Sequence, residues 1–257
     1  MRGVDRVVRP YPRASGRPLV FGHRGASARA PENTLASFQL AQVEGADGIE
    51  LDVMVCGSGE VVVCHDVWLD RLAGVHVNVL ETSLSELRAL HVAAHMPAWH
   101  DTAQIPTLEE VLETVPSLCV NIELKEDRWR DGGLAQKVAD IVKELRAEDR
   151  VVISSFNPLE LARARLASPT LPQGFLYEQG GPFWAQGTLI GPLALAQAVH
   201  PEHVLLDAMR VRAWHAAGFA VWTWTVDELA RAHTLASWGV DGIITNTPRE
   251  VLKSLAG

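Results

Sequence analysis

Residues 48–55 read GIELDVMV. Read as a strand, this stretch has two unlike faces: Ile49, Leu51 and Val53 lie on one, Glu50 and Asp52 on the other. The stretch VNIELK at 120–125 repeats the arrangement, with Asn121, Glu123 and Lys125 opposite Ile122 and Leu124. If the apolar faces meet helices, three carboxylates and a lysine point into one enclosed interior. A barrel of parallel strands supplies such an interior, and its functional residues come from the carboxyl ends of the strands.

The rest of the chain has the periodicity this fold needs. Strands are expected at 19–23, 48–55, 118–124, 150–154, 173–177, 203–206, 219–224 and 241–245. Helices are expected near 34–44, 107–115, 134–146, 158–167, 191–198, 210–217, 227–237 and 247–255. Asn33 or Thr34, Asn157-Pro158 and Thr247-Pro248 are helix starts, and Gly45, Gly218 and Gly239 are helix stops. Strict alternation of strand and helix predicts an α/β (β/α)8 TIM-type barrel over 19–257, with a doubly wound open sheet as the alternative. About fifty residues separate the second strand from the next long helix, too many for an ordinary βα loop. They are expected to form a small insertion, about 56–105, opening with a hairpin at Cys56-Gly57-Ser58-Gly59-Glu60. Residues 1–18, with five arginines and no apolar stretch behind them, read as a loose leader and not a signal peptide.

Composition removes several classes. The chain has 257 residues, 47% of them hydrophobic, enough for a large core and too many for a disordered chain. A net charge of −8 argues against a nucleic-acid partner, which would demand clustered basic residues. No run is long enough for a transmembrane segment. Cys56, Cys64 and Cys119 are odd in number and scattered in apolar sequence, so they read as buried free thiols of a cytoplasmic protein.

The expected strand ends carry His23-Arg24, Glu50-x-Asp52, His65-Asp66, Glu123-x-Lys125, Ser154-Ser155-Phe156 and Trp224. Three converging carboxylates need protons or a cation to neutralise them. Oxygen-only ligation by Glu50, Asp52 and Glu123 suits a hard divalent metal, Mg2+ or Ca2+, better than zinc. His23 and His65 are suited to move protons to and from oxygen near neutral pH. Arg24 has the planar fork that grips two phosphoryl oxygens. Strand alternation sets His23 and Arg24 on opposite faces, so the chain is expected to be turning by Gly25 if both are to face the barrel mouth.

The ordered set of motifs resembles the glycerophosphodiester phosphodiesterase family. It comprises His23-Arg24-Gly25, Pro31-Glu32-Asn33-Thr34, the run Gly45–Val53, and Val63-Cys64-His65-Asp66 with Leu69 and Arg71. Ile105–Val111, Glu123-Leu124-Lys125, Ser154-Ser155-Phe156 and Trp222–Val226 complete it, so the likeness runs from about residue 19 to residue 252. The resemblance implies a TIM-type barrel that hydrolyses glycerophosphodiesters, small-molecule substrates, to glycerol 3-phosphate and an alcohol. It implies a divalent metal on Glu50, Asp52 and Glu123, and an acid/base pair in His23 and His65. It also implies phosphate contacts from Arg24 and Lys125. Phe156 and Trp224 are expected to line the substrate pocket. Asn246 and Asp227 depart from the family, which often has Asp and Asn at those two places.

Other readings attach to the same sequence. A lysophospholipase D-like or cyclising phosphodiesterase acting on lysophospholipids is the nearest. A non-catalytic phosphodiester-binding barrel is a different class, and the complete set of acids and histidines argues against it. His91 and His95 have helical spacing, but Val92 stands where a metalloprotease helix has its acid, and His100 adds no motif. Trp68, Trp99, Trp129 and Trp184 suggest either an apolar wall for an alkyl chain or packing of the insertion on the barrel rim.

Overall fold

The computed structural model describes residues 16–99, 103–125, 132–180 and 196–256. The opening strand β1 (Leu19–His23) leads into α1 (Leu35–Val43), then β2 (Gly48–Val55) and β3 (Val61–Val63). Two short helices, α2 (Asp70–Ala73) and α3 (Leu84–Arg88), precede α4 (Leu108–Thr114) and β4 (Cys119–Leu124). The chain continues through α5 (Leu134–Glu144), β5 (Val151–Ser155), α6 (Pro158–Ala167), β6 (Gln173–Tyr177) and β7 (Ala198–Pro201). It ends with α7 (Ala208–Ala216), β8 (Ala220–Thr223), α8 (Leu229–Trp238), β9 (Gly242–Thr245) and α9 (Pro248–Leu255).

Eight of these strands pair in parallel in the order β1-β9-β8-β7-β6-β5-β4-β2, and β1 also pairs with β2. The ring is therefore closed, and the open-sheet alternative falls. Only β3 stands outside it, folded back antiparallel on β2 with Val53 opposite Val63. The hairpin is the expected one: the Cys56 amide donates to the Glu60 carbonyl at 3.0 Å.

Alternation along each strand divides the apolar residues. Val20, Ile49, Leu51, Val53, Val120, Ile122, Ile153, Val199, Val221 and Ile243 face outward into the core shared with the helices. Phe21, Val152, Ala198, Ala220, Trp222 and Ile244 fill the barrel interior. Residues of the excursion after β2 have a core of their own, built on Met54, Cys64, Leu69, Leu72, Val79, Leu87 and Ile105. Met54 follows Glu50 and Asp52 in the same period of two, and where β2 rises past the barrel mouth that face meets the excursion instead of the cavity.

Local sequence explains the helix starts. Thr34 and Thr107 form capping boxes with Ser37 and Glu110, and Asn157 caps α6 with Pro158 in its first turn. One expectation fails. The strand placed at 203–206 is a single 3-10 turn, His203–Leu205, and the barrel strand is Ala198–Pro201. The reading missed it because AVHP hides a fully buried His200 and a proline, whereas HVLL is apolar yet leaves Val204 half exposed. Of the helix expected at 191–198, residues 196 and 197 are not helical and Ala198 begins β7, while 191–195 lie outside the described residues. The leader expected at 1–18 also lies outside them up to residue 15.

Trp222 anchors the barrel interior. It is fully buried, with the Phe21 ring centroid 4.3 Å away and the His200 ring stacked at 5.4 Å. Replacing it with alanine leaves a large void inside the ring, beside β1, β7 and β9. Trp222→Ala is expected to lose roughly 3–5 kcal/mol of stability by urea unfolding. A loss below about 0.5 kcal/mol, the range of surface substitutions, would show that the interior can collapse around the gap.

Candidate active site

The carboxyl ends of the strands meet at a cavity of about 310 Å3 lined by His23, Arg24, Glu50, His65, Asn121, Glu123, Lys125, Phe156, Glu178 and Trp224 among others. Glu50 and Asp52 come from β2 and Glu123 from β4, where Asp52 and Glu123 are register partners. All three are buried, and one carboxylate oxygen from each lies within 4.8 Å of the others. Among the described residues this is the one group of three such side chains placed to hold a metal ion; His91 and His95 belong to none, and His100 is not described.

Such proximity has electrostatic consequences. Burial, then the Asp52 and Glu123 charges, push the Glu50 carboxyl well above its usual range. Burial and Asp52 raise Glu123 to about 7, despite the Lys125 ammonium 3.1 Å away. Burial also acts to raise Asp52, but Arg24 (Nε to Oδ2, 3.2 Å), Lys125 (3.7 Å) and His65 outweigh it and hold it low. One acid is thus satisfied as an anion by side chains, while two are left short of positive charge. That is the donor set a divalent cation fits.

Arg24 reaches this cluster through a backbone turn. Its φ of +53° and Gly25's of +87° make the turn that was expected by Gly25. The left-handed conformation costs Arg24 about 1–2 kcal/mol. It brings the guanidinium to the same side as the His23 ring and points its amide at Glu50 Oε2, 3.1 Å away. Gly25 is required here, since a Cβ would lie 2.4 Å from Ser37 Oγ. Asn33, also left-handed at φ +56°, donates its side-chain amide to Asp52 Oδ2 at 2.9 Å.

The two histidines reach the cavity from different parts of the chain. His23 ends β1, with Nε2 4.0 Å from Glu50 and Nδ1 2.7 Å from Asn246 Oδ1. Burial and the Arg24 charge lower its pKa. His65 follows β3, outside the ring, and its Nδ1 lies 2.6 Å from Asp66 Oδ1. A chain of ion pairs ties it back to the barrel. Arg71 donates to Asp66 at 2.8 Å and grips both oxygens of Glu32 at 2.6 and 2.8 Å. Glu32 in turn accepts from Arg24 at 2.7 Å.

Phe156 and Trp224 stand edge to face at 5.6 Å on the cavity wall, and the Trp224 indole N–H donates to the His200 carbonyl at 2.9 Å. An adjoining pocket of about 200 Å3 shares His65, Glu123, Lys125 and Phe156 and adds Val67, Leu124 and Ser155. All nine residues singled out from the sequence therefore lie at one place: eight line the cavity, and Asp52 is buried beneath it. The tryptophan wall does not form from the described members. Trp68 stacks on His76 at 4.2 Å and Trp99 packs on the excursion's core; Trp129 and Trp184 lie outside the described residues. The sequence alone assigns no part in the site to Glu32, Asn33, Asp66, Arg71 or Asn246. The first four sit in quoted motifs beside His23 or His65, which was the available signal.

A closed parallel barrel that brings buried acids, two histidines and two cations to one mouth suits a phosphoric diester hydrolase of the TIM-barrel class. Residues 23–250 match the model of the glycerophosphoryl diester phosphodiesterase family, and the chain belongs to that family as an enzyme. A glycerophosphodiester phosphodiesterase of Caldanaerobacter subterraneus subsp. tengcongensis is 35% identical over 241 residues, covering 91% of this chain and 96% of that protein. An Oleispira antarctica phosphodiesterase, solved with the product sn-glycerol-3-phosphate, superposes with a TM-score of 0.82 at 28% identity, covering 95% of this chain and 98% of that one. The Thermotoga maritima glycerophosphodiester phosphodiesterase gives 0.74 at 27% identity, over 93% and 99%.

Glu32 gives the site a readable pH signature. Although burial opposes it, Arg71 and Arg24 hold its carboxyl down at about 2, below the ordinary 4.5. A depressed acid contributes stability that is complete above its unfolded pKa and lost as pH falls through the folded one. Glu32→Gln is therefore expected to be less stable than wild type at pH 7, with the gap narrowing from about pH 4.5 downward. Urea unfolding from pH 7 to 3 checks this; a gap independent of pH would mean that the carboxylate charge contributes nothing.

Proposed function

We propose that the protein hydrolyses glycerophosphodiesters to glycerol 3-phosphate and an alcohol at this cavity. The observation that carries the reading is the convergence of the buried Glu50–Asp52–Glu123 group with two histidines and two cations on one mouth. The relatives' names and the product bound by the Oleispira enzyme support it.

Glu50, Asp52 and Glu123 would hold one divalent ion, Mg2+ or Ca2+ by the all-oxygen donor set. Bound there, the ion supplies Lewis-acid stabilisation of phosphoryl oxygen charge. Arg24 and Lys125 neutralise and orient the phosphate. Of His23 and His65, one takes a proton from the attacking oxygen and the other gives one to the departing alkoxide. Phe156 and Trp224 bound the organic part of the substrate. The free thiols Cys56, Cys64 and Cys119 fit a reducing, cytoplasmic setting; among the described residues no helix is long and apolar enough to cross a membrane.

The side pocket walled by Val67, Leu124 and Phe156 favours a second reading. It offers room for an apolar substituent, and so for lysophospholipids in place of water-soluble diesters.

Glycerol 3-phosphate release from glycerophosphocholine and glycerophosphoethanolamine tests the first reading, with Mg2+, with Ca2+ and with chelator. Release is expected only with metal, and His23→Ala and His65→Ala should each cost about 100- to 10,000-fold. Turnover of lysophosphatidylcholine but not of either water-soluble diester would move the assignment to the second reading. No turnover of any of them under either metal would overturn both.

A further inference from the structure

The side of His23 that faces away from the cavity carries an inference that rests on the phosphodiesterase reading. Asp227 accepts three hydrogen bonds. The Asn246 backbone N–H at 2.8 Å and the Thr245 hydroxyl at 2.9 Å reach Oδ1, and the Asn246 side-chain amide reaches Oδ2 at 2.6 Å. An ionised carboxylate accepts and does not donate, so the nitrogen end of the Asn246 amide must face it. The oxygen end then faces His23. There it accepts from the Ser27 hydroxyl at 2.7 Å and lies 2.7 Å from His23 Nδ1. An amide oxygen has no proton to give, so Nδ1 carries the ring proton. In the neutral ring Nε2 is bare, and it is the nitrogen turned toward Glu50 and the cavity.

We propose that Asn246, held by Asp227, is the positioning residue that fixes the ring orientation and tautomer of His23. An imidazole without such a partner rotates and presents either nitrogen, with or without its proton, to the reacting oxygens. Here a carboxylate fixes an amide and the amide fixes the ring. The arrangement depends on barrel closure, since Asn246 follows β9 and His23 ends β1, two strands that pair across the seam. His65 has its partner next to it in sequence, a carboxylate directly on Nδ1; His23 has a neutral amide with the charge one residue further back.

The pair can be exchanged. Asn246→Asp sets two carboxylates against each other and Asp227→Asn sets two amides. The double exchange rebuilds one of each, with every hydrogen bond able to form. Each single variant is expected to lose kcat on glycerophosphocholine roughly 10- to 100-fold with KM little changed, the range for residues that orient a functional group. The double exchange should recover most of that loss. Asn246→Ser, which creates no like pair, repeats the kcat reading if either exchange fails to fold in a thermal melt. Independently of turnover, 15N spectra of histidine-labelled protein without metal, assigned with His23→Gln, should show His23 protonated at Nδ1 and bare at Nε2. A proton on Nε2, single variants with wild-type kcat, or a double exchange no better than the singles would overturn the proposal. A wild type inactive on every diester sinks the phosphodiesterase reading alone, because the nitrogen spectrum still decides the tautomer.

Discussion

Everything at the barrel mouth answers to one constraint: three carboxylates share a space from which water is largely excluded. Barrel closure leaves them nowhere else to point, since the opposite faces of β2 and β4 are committed to the helical core. Arg24 and Lys125 are the cations paired with the group, so three acids could all ionise only with one negative charge left over, and Glu50 and Glu123 are held toward their protonated forms instead. A divalent ion would displace those protons and, with all three acids ionised, leave a single positive charge that a phosphodiester monoanion neutralises. The acidic overall charge of the chain is therefore no obstacle to an anionic substrate.

The same constraint accounts for local backbone cost. Arg24 and Asn33 both adopt left-handed conformations, and both end on Asp52. Neither would be retained on local preference alone. They are held from outside: the Arg24 carbonyl accepts from the Ser37 hydroxyl at 2.9 Å and from the Asn33 amide at 3.0 Å, while Thr34 and Ser37 cap α1. The stretch from His23 to Thr34 is thus tied by its own hydrogen bonds into a turn that presents a histidine, a guanidinium and a side-chain amide to the acids. This is why an imidazole and a guanidinium can stand next to each other where a strand ends.

Much of this was legible in the sequence because period-two alternation reports side-chain direction. GIELDVMV and VNIELK were enough to gather Glu50, Asp52, Glu123 and Lys125 on one side. Alternation says little where burial and polarity part company. His200 sits fully buried in β7, and its AVHP segment does not look like a strand beside the apolar HVLL that follows. It was silent wherever a partner depends on closure. Nothing in the neighbourhood of His23 announces Asn246, 223 positions away; only the pairing of β1 with β9 brings them together.

His65 shows what a barrel gains from carrying part of its site outside the ring. A residue on a barrel strand is placed by the sheet, but His65 follows β3, whose sheet contact is with β2 alone. Its position relative to the acids is set by the Cys64 amide, which donates to the Asp52 carbonyl at 2.9 Å, together with the excursion's own apolar core and the run of ion pairs from Asp66 through Arg71 and Glu32 to Arg24. Isolated surface ion pairs contribute little, but bidentate contacts joined in a network act on geometry as well as on energy. Arg71 is half exposed while Glu32 is mostly covered, so the network strengthens inward, toward the acids. Because Arg24 belongs both to this network and to the carboxylate group, the placement of His65 and the electrostatics of the acids are coupled through the Arg24 guanidinium as well as through the Cys64–Asp52 backbone bond.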